Sequence, residues 1–171
     1  MLRHQCALKR NFLLWRQGRS LAPDRSGAHH ELMTTHPAIS FVRPNQLATS
    51  APYAYAAVTG PGQLVFTAGA CPLDIDGNTV AVGDIAGQAH QVMTNLEIAL
   101  YGAGAQLTHV VKTTIYVASS EQADLVTAWR VVRDAFGEHD APSTLLGVSV
   151  LGYADQLVEV EAIAILPRSA G

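Results

Sequence analysis

The most regular pattern in the chain is a set of apolar residues that recur every three or four positions, which predicts two amphipathic helices. The first apolar stripe begins after Asp84 and consists of Ile85, Ala89, Val92, Leu96 and Ala99. The second consists of Leu125, Ala128, Trp129, Val132 and Phe136. Ser119 or Ser120, with Gln122 completing a capping box, is predicted to begin the second helix.

Shorter runs of β-branched and aromatic residues predict five strands. Residues 55–59 and 64–68 flank a Gly-Pro-Gly turn and predict a hairpin. Residues 110–117 predict a central strand, and residues 144–151 and 157–165 predict two closing strands around a turn. The predicted order is β-β-α-β-α-β-β, an α+β fold with two helices on one face of a sheet. Nothing in the chain is left to cover the second face, which favours oligomerisation.

The first 32 residues differ from the rest in charge and in pattern. Residues 1–32 hold six basic and two acidic residues, a net +4, whereas residues 33–171 hold five basic and twelve acidic residues, a net −7. No sustained period runs through residues 1–32. We expect a disordered basic leader or an over-extended start before Met33, with a mitochondrial presequence as the alternative. Residues 33–171 are expected to form a single domain.

Composition narrows the classes of function. An acidic body disfavours nucleic acid, which binds clustered Lys and Arg. No apolar run approaches the roughly 18 residues that would span a bilayer, so no membrane partner is expected. Cys6 and Cys71 are the only cysteines and form no disulfide framework or zinc motif, which suits a cytoplasmic location. The histidines lie at no metal-ligand spacing and no nucleotide-binding motif is present, so no metal or cofactor is expected.

The last predicted strand carries the strongest candidate chemistry. Strand alternation places Glu159, Glu161 and Ile163 on one face and Val158, Val160, Ala162 and Ala164 on the other. Two carboxylates on a central strand need partners or a purpose. They are interpreted either as an acid–base or water-positioning pair in a cleft, or as a solvated face or structural ion pair.

Several segments, taken in order, resemble the RidA (YjgF) family along nearly the whole body. They are Ala51-Pro52-Tyr53, Phe66 to Pro72, Gln88 with Asn95-Leu96, Val111 to Val117, and Val158 to Ala164. The resemblance implies a chorismate-mutase-like fold and a homotrimer with a small-molecule cleft at each subunit interface. It also implies hydrolysis of reactive imines and enamines to a ketone and ammonia, without cofactor or metal.

The resemblance assigns site residues one by one. Tyr53 matches the family's pocket tyrosine, Gly69 the glycine that lines the ligand site, and Glu159 the carboxylate that positions the attacking water. Active deaminases also carry an arginine that clamps the substrate carboxylate. Here one alignment places Ser143 at that position and another places Thr144, and neither is basic. A hydroxyl offers one neutral hydrogen bond where a guanidinium offers a charged, bidentate grip.

The candidate site is therefore one catalytic residue with a set of binding residues around it. Glu159 is the catalytic candidate, and the substrate-binding candidates are Tyr53, Gly69, Ser143, Thr144, Cys71 and Lys112. Cys71 is interpreted as an unreactive thiol rather than a nucleophile. The expected function is a diverged imine or enamine deaminase with weak or altered activity. The alternatives are a non-catalytic trimeric metabolite-binding module and, least favoured, an endoribonuclease.

Overall fold

A computed structural model describes residues 39–167, in which six strands and two α-helices follow one another. The strands are β1 (Ile39–Val42), β2 (Ala56–Thr59), β3 (Gly62–Phe66), β4 (Val110–Val117), β5 (Ser143–Gly147) and β6 (Val158–Pro167). The helices are α1 (Ile85–Gly102) and α2 (Gln122–Phe136). All seven predicted elements are present in the predicted order, and β1 precedes them. The leader predicted for residues 1–32 lies outside the described residues.

The strands form two sheets, and their pairing differs from the two predicted local pairings. The larger sheet has the order β3-β6-β4-β5, and β1 pairs with β2 in a separate ribbon. The expected hairpin of residues 55–59 and 64–68 is therefore wrong, because β2 pairs antiparallel with β1 and β3 pairs antiparallel with β6. Gly62 permits the second pairing, since a side chain there would collide with the Leu166 carbonyl.

The two closing strands also do not pair with each other. β5 lies parallel to β4 at the sheet edge, and β6 lies antiparallel to β4 on its other side. A parallel pair needs a crossover connection, which α2 supplies between β4 and β5. The segment after β5 then carries the chain across to the far side of β4. The prediction that β4 is central is confirmed.

The helix starts follow different local hydrogen bonds. Asp84 begins α1 as predicted, since its side chain accepts a hydrogen bond of 3.0 Å from the Gly87 N–H. The capping box predicted for α2 is wrong, because Glu121 is the N-cap residue and its side chain makes no capping bond. The Ser119 hydroxyl instead donates to Asp124 Oδ2 at 2.7 Å. Its oxygen accepts a hydrogen bond of 3.0 Å from the Glu121 N–H, and the serine stays outside the helix.

The hydrophobic core lies between the two helices and one face of the four-stranded sheet. The two predicted helical stripes contribute to it, with Leu96, Val92 and Val132 almost fully buried. Strand β6 contributes Val158, Val160, Ala162 and Ala164, as its alternation predicts. Neither helix within residues 39–167 is long and apolar enough to cross a membrane.

The opposite face of this sheet, here called the open face, carries the carboxylates and several apolar side chains. Glu159, Glu161 and Ile163 are half-buried there, which confirms the predicted alternation of β6. Phe66 and Leu64 lie on the same face and are 69% and 53% exposed. Large apolar side chains left in solvent on one continuous sheet face are typical of a surface that contacts another chain.

Leu96 should contribute more to stability than any exposed apolar residue on the same helix. Leu96→Ala removes a fully buried side chain from the core and should lower the free energy of unfolding by about 2–5 kcal/mol. Ile98→Ala is the matched control, since Ile98 is 56% exposed and two residues away, and should change it by well under half of that amount. Urea unfolding followed by circular dichroism measures both. Equal losses would contradict the assigned core.

Candidate functional site

Glu159 lies on the open face of β6, directly against the backbone of Gly69. A side chain at position 69 would collide with the Glu159 carboxylate, so only glycine permits this approach. The segment that holds Gly69 is fastened to β6, since the N–H of Ala70 donates to the Val160 carbonyl at 2.8 Å. The resemblance that grouped Gly69 with Glu159 therefore corresponds to direct contact in this chain.

Two donors converge on the other oxygen of the same carboxylate. Gln156 Nε2 donates to Glu159 Oε2 at 3.0 Å, and the Cys71 thiol lies 3.5 Å from that oxygen. Burial and the neighbouring Glu159 carboxylate raise the pKa of the Cys71 thiol to about 11. The thiol is therefore protonated at neutral pH and acts as a weak donor, in agreement with its interpretation as unreactive. Gln156 was not among the residues that the sequence indicated.

Amide side chains of α1 hold the two loops that frame Glu159. Gln88 is fully buried, donates to the Asp155 carbonyl at 2.8 Å and accepts from the Leu157 N–H at 2.7 Å. Asn95 donates to the carbonyls of Cys71 and Leu73 at 2.7 and 2.9 Å. Both positions belong to the segments that carry the family resemblance, although the sequence did not indicate this role.

Glu161 makes a different contact on the same strand. The Tyr116 hydroxyl donates to Glu161 Oε1 at 3.1 Å. This hydrogen bond, together with the carboxylate charge, raises the pKa of Tyr116, so the phenol remains neutral. Glu161 thus has a side-chain partner across the strands, whereas Glu159 has its partners in loops. The two carboxylates of β6 stand in distinct environments.

A second group of predicted residues lines a cavity of about 360 Å³ beside β4 and β5. Its walls include Tyr53, Lys112, Ser143 and Thr144. Lys112 Nζ donates to Thr144 Oγ1 at 2.5 Å and to the Thr113 carbonyl at 2.8 Å. Partial burial lowers the pKa of the Lys112 ammonium, and the Glu161 carboxylate opposes this shift. Lys112 follows an irregularity in the pairing of β4 with β6, a feature that commonly re-aims a side chain.

Ser143 and Thr144 point to opposite faces of the sheet. Ser143 is paired in register with the buried Thr113, and their hydroxyls lie 2.7 Å apart on the core side. Thr144 is paired with Thr114, which stands opposite Glu161 on the open face. Thr144 therefore shares its face with Glu159, and Ser143 does not.

One chain does not bring the two groups together. Glu159 stands opposite Tyr116 on β4, and Thr144 stands beside Thr114, two residues earlier on β4. Two strand spacings and two residues of rise separate Glu159 from Thr144 by about 12 Å. Within residues 39–167, no hydrogen bond joins the Gly69–Cys71–Glu159 group to the Tyr53–Lys112–Thr144 group.

A larger cavity of about 580 Å³ lies beside α2, away from Glu159. The Arg43–Asp140 ion pair, Trp129 and Phe136 line it, and Ser143 is the only predicted site residue on its wall. In the described part of the chain, no three His, Cys, Asp or Glu side chains are grouped closely enough to hold a metal ion.

Comparison with known proteins places this geometry in a family. Residues 43–166 match the family model described as endoribonuclease L-PSP. A RutC family protein of Pyrococcus horikoshii is 34% identical over 110 residues, which cover 64% of this chain and 85% of the relative. A 2-iminobutanoate/2-iminopropanoate deaminase of Salmonella typhimurium is 32% identical over 108 residues, covering 61% of this chain and 80% of that protein.

Solved structures with a similar fold come from the same family as the sequence relatives. A Rid family protein of unknown function from Yersinia pestis superimposes with a TM-score of 0.71 at 27% identity, over 75% of this chain and 98% of that one. The YjgF protein of Escherichia coli gives a TM-score of 0.53 at 30% identity, over 69% and 91% of the two chains. The family model spans β2, both helices and β6 as far as Leu166, the solved structures share the fold, and this chain belongs to the RidA (YjgF) family.

Proposed function

We propose that this protein is a diverged imine or enamine deaminase whose cleft is completed between subunits of a homotrimer. The observation that carries the proposal is the Glu159 carboxylate, fixed through Oε2 by Gln156 and Cys71 and placed with Oε1 against Gly69. A carboxylate held in one rotamer beside bare backbone can orient a water molecule and take its proton. The similarity to a deaminase at 32% identity supports the same reaction class.

The chemistry requires only water and proton transfers. Water adds through its oxygen to the carbon of the C=N bond, while Glu159 takes one of its protons. The proton then moves to the nitrogen, which gives a carbinolamine. The hydroxyl proton of this intermediate is passed to the same nitrogen through Glu159, so the carbon–nitrogen bond breaks, the carbonyl forms and ammonia leaves. An enamine first becomes the imine by gaining a proton at carbon. Every atom of the product comes from the substrate and water, so the step needs no oxidant or reductant.

A second subunit supplies what one chain lacks. Glu159 and the Tyr53–Lys112–Thr144 group are too far apart in one chain to hold a small imine together. In a closed threefold ring, different surfaces of neighbouring copies meet, so Glu159 of one copy can face the cavity wall of the next. The exposed Phe66 and Leu64 on the open face supply apolar area for such a contact.

The end of the cleft that would bind the substrate carboxylate is where this chain differs from active deaminases. Thr144 is on the face where the missing arginine would act, and the nearest cation is the Lys112 ammonium, 2.5 Å from its hydroxyl. An ammonium is a point charge without the planar fork of a guanidinium, so it holds a carboxylate with less orientation. We expect activity on small imino acids to be weak, or to be shifted to substrates of different shape.

Two other functions follow from specific features. A trimer that binds a metabolite without chemistry is favoured by the absence of a basic side chain at both Ser143 and Thr144. The family description names an endoribonuclease, but residues 33–171 carry twelve acidic and five basic residues, which disfavours contact with a phosphate backbone. Of the three, the deaminase best explains why Glu159 is held by loops rather than exposed.

The homotrimer gives a first test. Light scattering of the full chain should yield about three times its mass of 18.2 kDa. Phe66→Asp puts a charge on the open face and should shift the protein to monomers at micromolar concentration. Tyr101→Asp is the control, since Tyr101 is 80% exposed on α1, and should leave the trimer intact. A wild-type chain that remains monomeric would remove the shared cleft and with it this proposal.

Restoring the arginine gives a second test. Thr144→Arg should increase the decay of 2-aminoacrylate by tenfold or more, because a guanidinium returns to the face that carries Glu159. Ser143 also borders the cavity, but its hydroxyl points to the core side against Thr113, so Ser143→Arg should not increase the decay. A coupled assay that generates the enamine in place and follows its disappearance measures both variants.

Glu159→Gln in either background should abolish the decay, because an amide cannot accept the proton of water. Rapid decay by the unmodified chain would show that the arginine is dispensable. In that case Lys112→Met should reduce the activity, because Lys112 would bind the substrate carboxylate. If neither Thr144→Arg nor Lys112→Met changed the activity, the present interpretation of the binding site would be wrong.

A further inference from the structure

Gln156 is a buried amide whose orientation the structure determines. Its side chain is 4% exposed, and its Oε1 accepts a hydrogen bond of 3.0 Å from the Tyr153 N–H. Its Nε2 donates to the Val158 carbonyl at 3.3 Å and to Glu159 Oε2 at 3.0 Å. Only this orientation pairs every donor with an acceptor, because a carbonyl and a carboxylate cannot donate.

The Glu159 carboxylate is consequently asymmetric. Oε2 receives the Gln156 amide and faces the Cys71 thiol at 3.5 Å. Within residues 39–167, no hydrogen bond reaches Oε1, which lies against Gly69. A lone pair on Oε2 is already engaged, so Oε1 is the oxygen that remains available for a proton.

We propose that Gln156 is a positioning residue: with Cys71 it holds Oε2 of Glu159, so that Oε1, beside Gly69, is the atom that takes the proton from water. The inference rests on the proposed function for the role of Glu159. An apolar side chain would fill the buried position of Gln156 without the cost of dehydrating an amide. The amide pairs two backbone groups of its own loop, and its third hydrogen bond, to the Glu159 carboxylate, is the one that bears on the chemistry.

Three titratable groups lie near the Glu159 carboxylate, and their protonation states decide which of them can report on it. Cys71 faces it from the loop after β3, Tyr116 stands opposite it on β4, and Glu161 lies two residues along β6. Tyr116 is bonded to Glu161 and stays neutral, so Cys71 is the group whose titration reports the state of Glu159. Burial and the Glu159 charge raise the pKa of the Cys71 thiol to about 11, whereas the Gln156 amide lowers it.

Gln88 provides a matched control for Gln156. It is also a buried amide, and it binds the same loop through Asp155 and Leu157, but it does not contact Glu159. Gln156→Met and Gln88→Met both replace an amide with an apolar side chain of similar length. Both should lower the melting temperature, because each leaves backbone groups without their partner. Only Gln156→Met should change how the Glu159 carboxylate is held.

The experiment uses the full chain carrying Cys6→Ser, so that Cys71 is the only thiol. The first readout is the steady-state kinetics of ammonia release from 2-aminoacrylate. In Gln156→Met, kcat should fall about tenfold while KM changes little, since the residue positions Glu159 and does not touch the substrate. In Gln88→Met the fall in kcat should be several times smaller.

The second readout is the rate of Cys71 alkylation by iodoacetamide between pH 7 and 10, which needs no enzymatic activity. Glu159→Gln removes the charge that raises the pKa of the thiol, so alkylation at pH 9 should become about tenfold faster. Gln156→Met removes the amide that lowers the pKa, so alkylation should become about threefold slower. Gln88→Met should follow the parent curve.

Identical curves for Gln156→Met and Gln88→Met in both readouts would overturn the inference and leave Gln156 a structural residue. If the parent releases no ammonia, the proposed function fails, but the alkylation series still decides whether Gln156 acts on the Cys71 thiol that shares Oε2 of Glu159. If Gln156→Met does not fold, NMR of the parent decides whether Gln156 contacts Glu159. The Gln156 side-chain amide protons should shift with pH and lose that shift in Glu159→Gln, and an unchanged shift would contradict the contact.

Discussion

The placement of β6 between β3 and β4 is the contact on which both the fold and the site depend. As an inner strand, β6 has its backbone groups paired with β3 on one side and with β4 on the other. Its two faces lie in different environments. One face enters the core beneath the helices through Val158, Val160 and Ala162. The other presents Glu159 and Glu161 away from the core. A slip of one residue would exchange the two sets, so burial of the valines fixes the outward direction of the carboxylates.

Polar side chains then convert this placement into a defined site. Gln88 and Asn95 reach from α1 to the loops that precede β6 and follow β3. Those loops bring Gln156, Cys71 and Gly69 to the Glu159 carboxylate. The order of dependence is from the helix to the loops and from the loops to the carboxylate. Because Gln88 is fully buried, Asn95 is half-buried and both amides are paired, the loops have little freedom to move away from β6.

The two ends of the proposed cleft differ in how they are built. The Glu159 end is half-buried, held by two donors, and close to bare backbone. The Lys112 end has one ammonium, the Thr144 hydroxyl and the Tyr53 ring around an open cavity. If Glu159 has its proposed role, a site that keeps this carboxylate and lacks the arginine at its other end is expected to keep the reaction class and to change its substrates. That difference motivates the proposal of altered specificity.

The sequence by itself determined the elements whose signal is local. The apolar period marked α1 from Asp84 onward, the β-branched run marked β4, and strict alternation on β6 assigned Glu159 to the open face, because these patterns record burial along one element. The strand partners of β2 and β5, the irregularity before Lys112 and the face of the sheet on which Thr144 lies were decided only by the tertiary structure. Gln156 stands only three residues before Glu159, but it lies in a loop without any period, and the path of that loop, which the distant Gln88 holds, brings its amide to the carboxylate. Contacts between residues far apart in sequence depend on how the chain crosses itself, and no local period encodes that path.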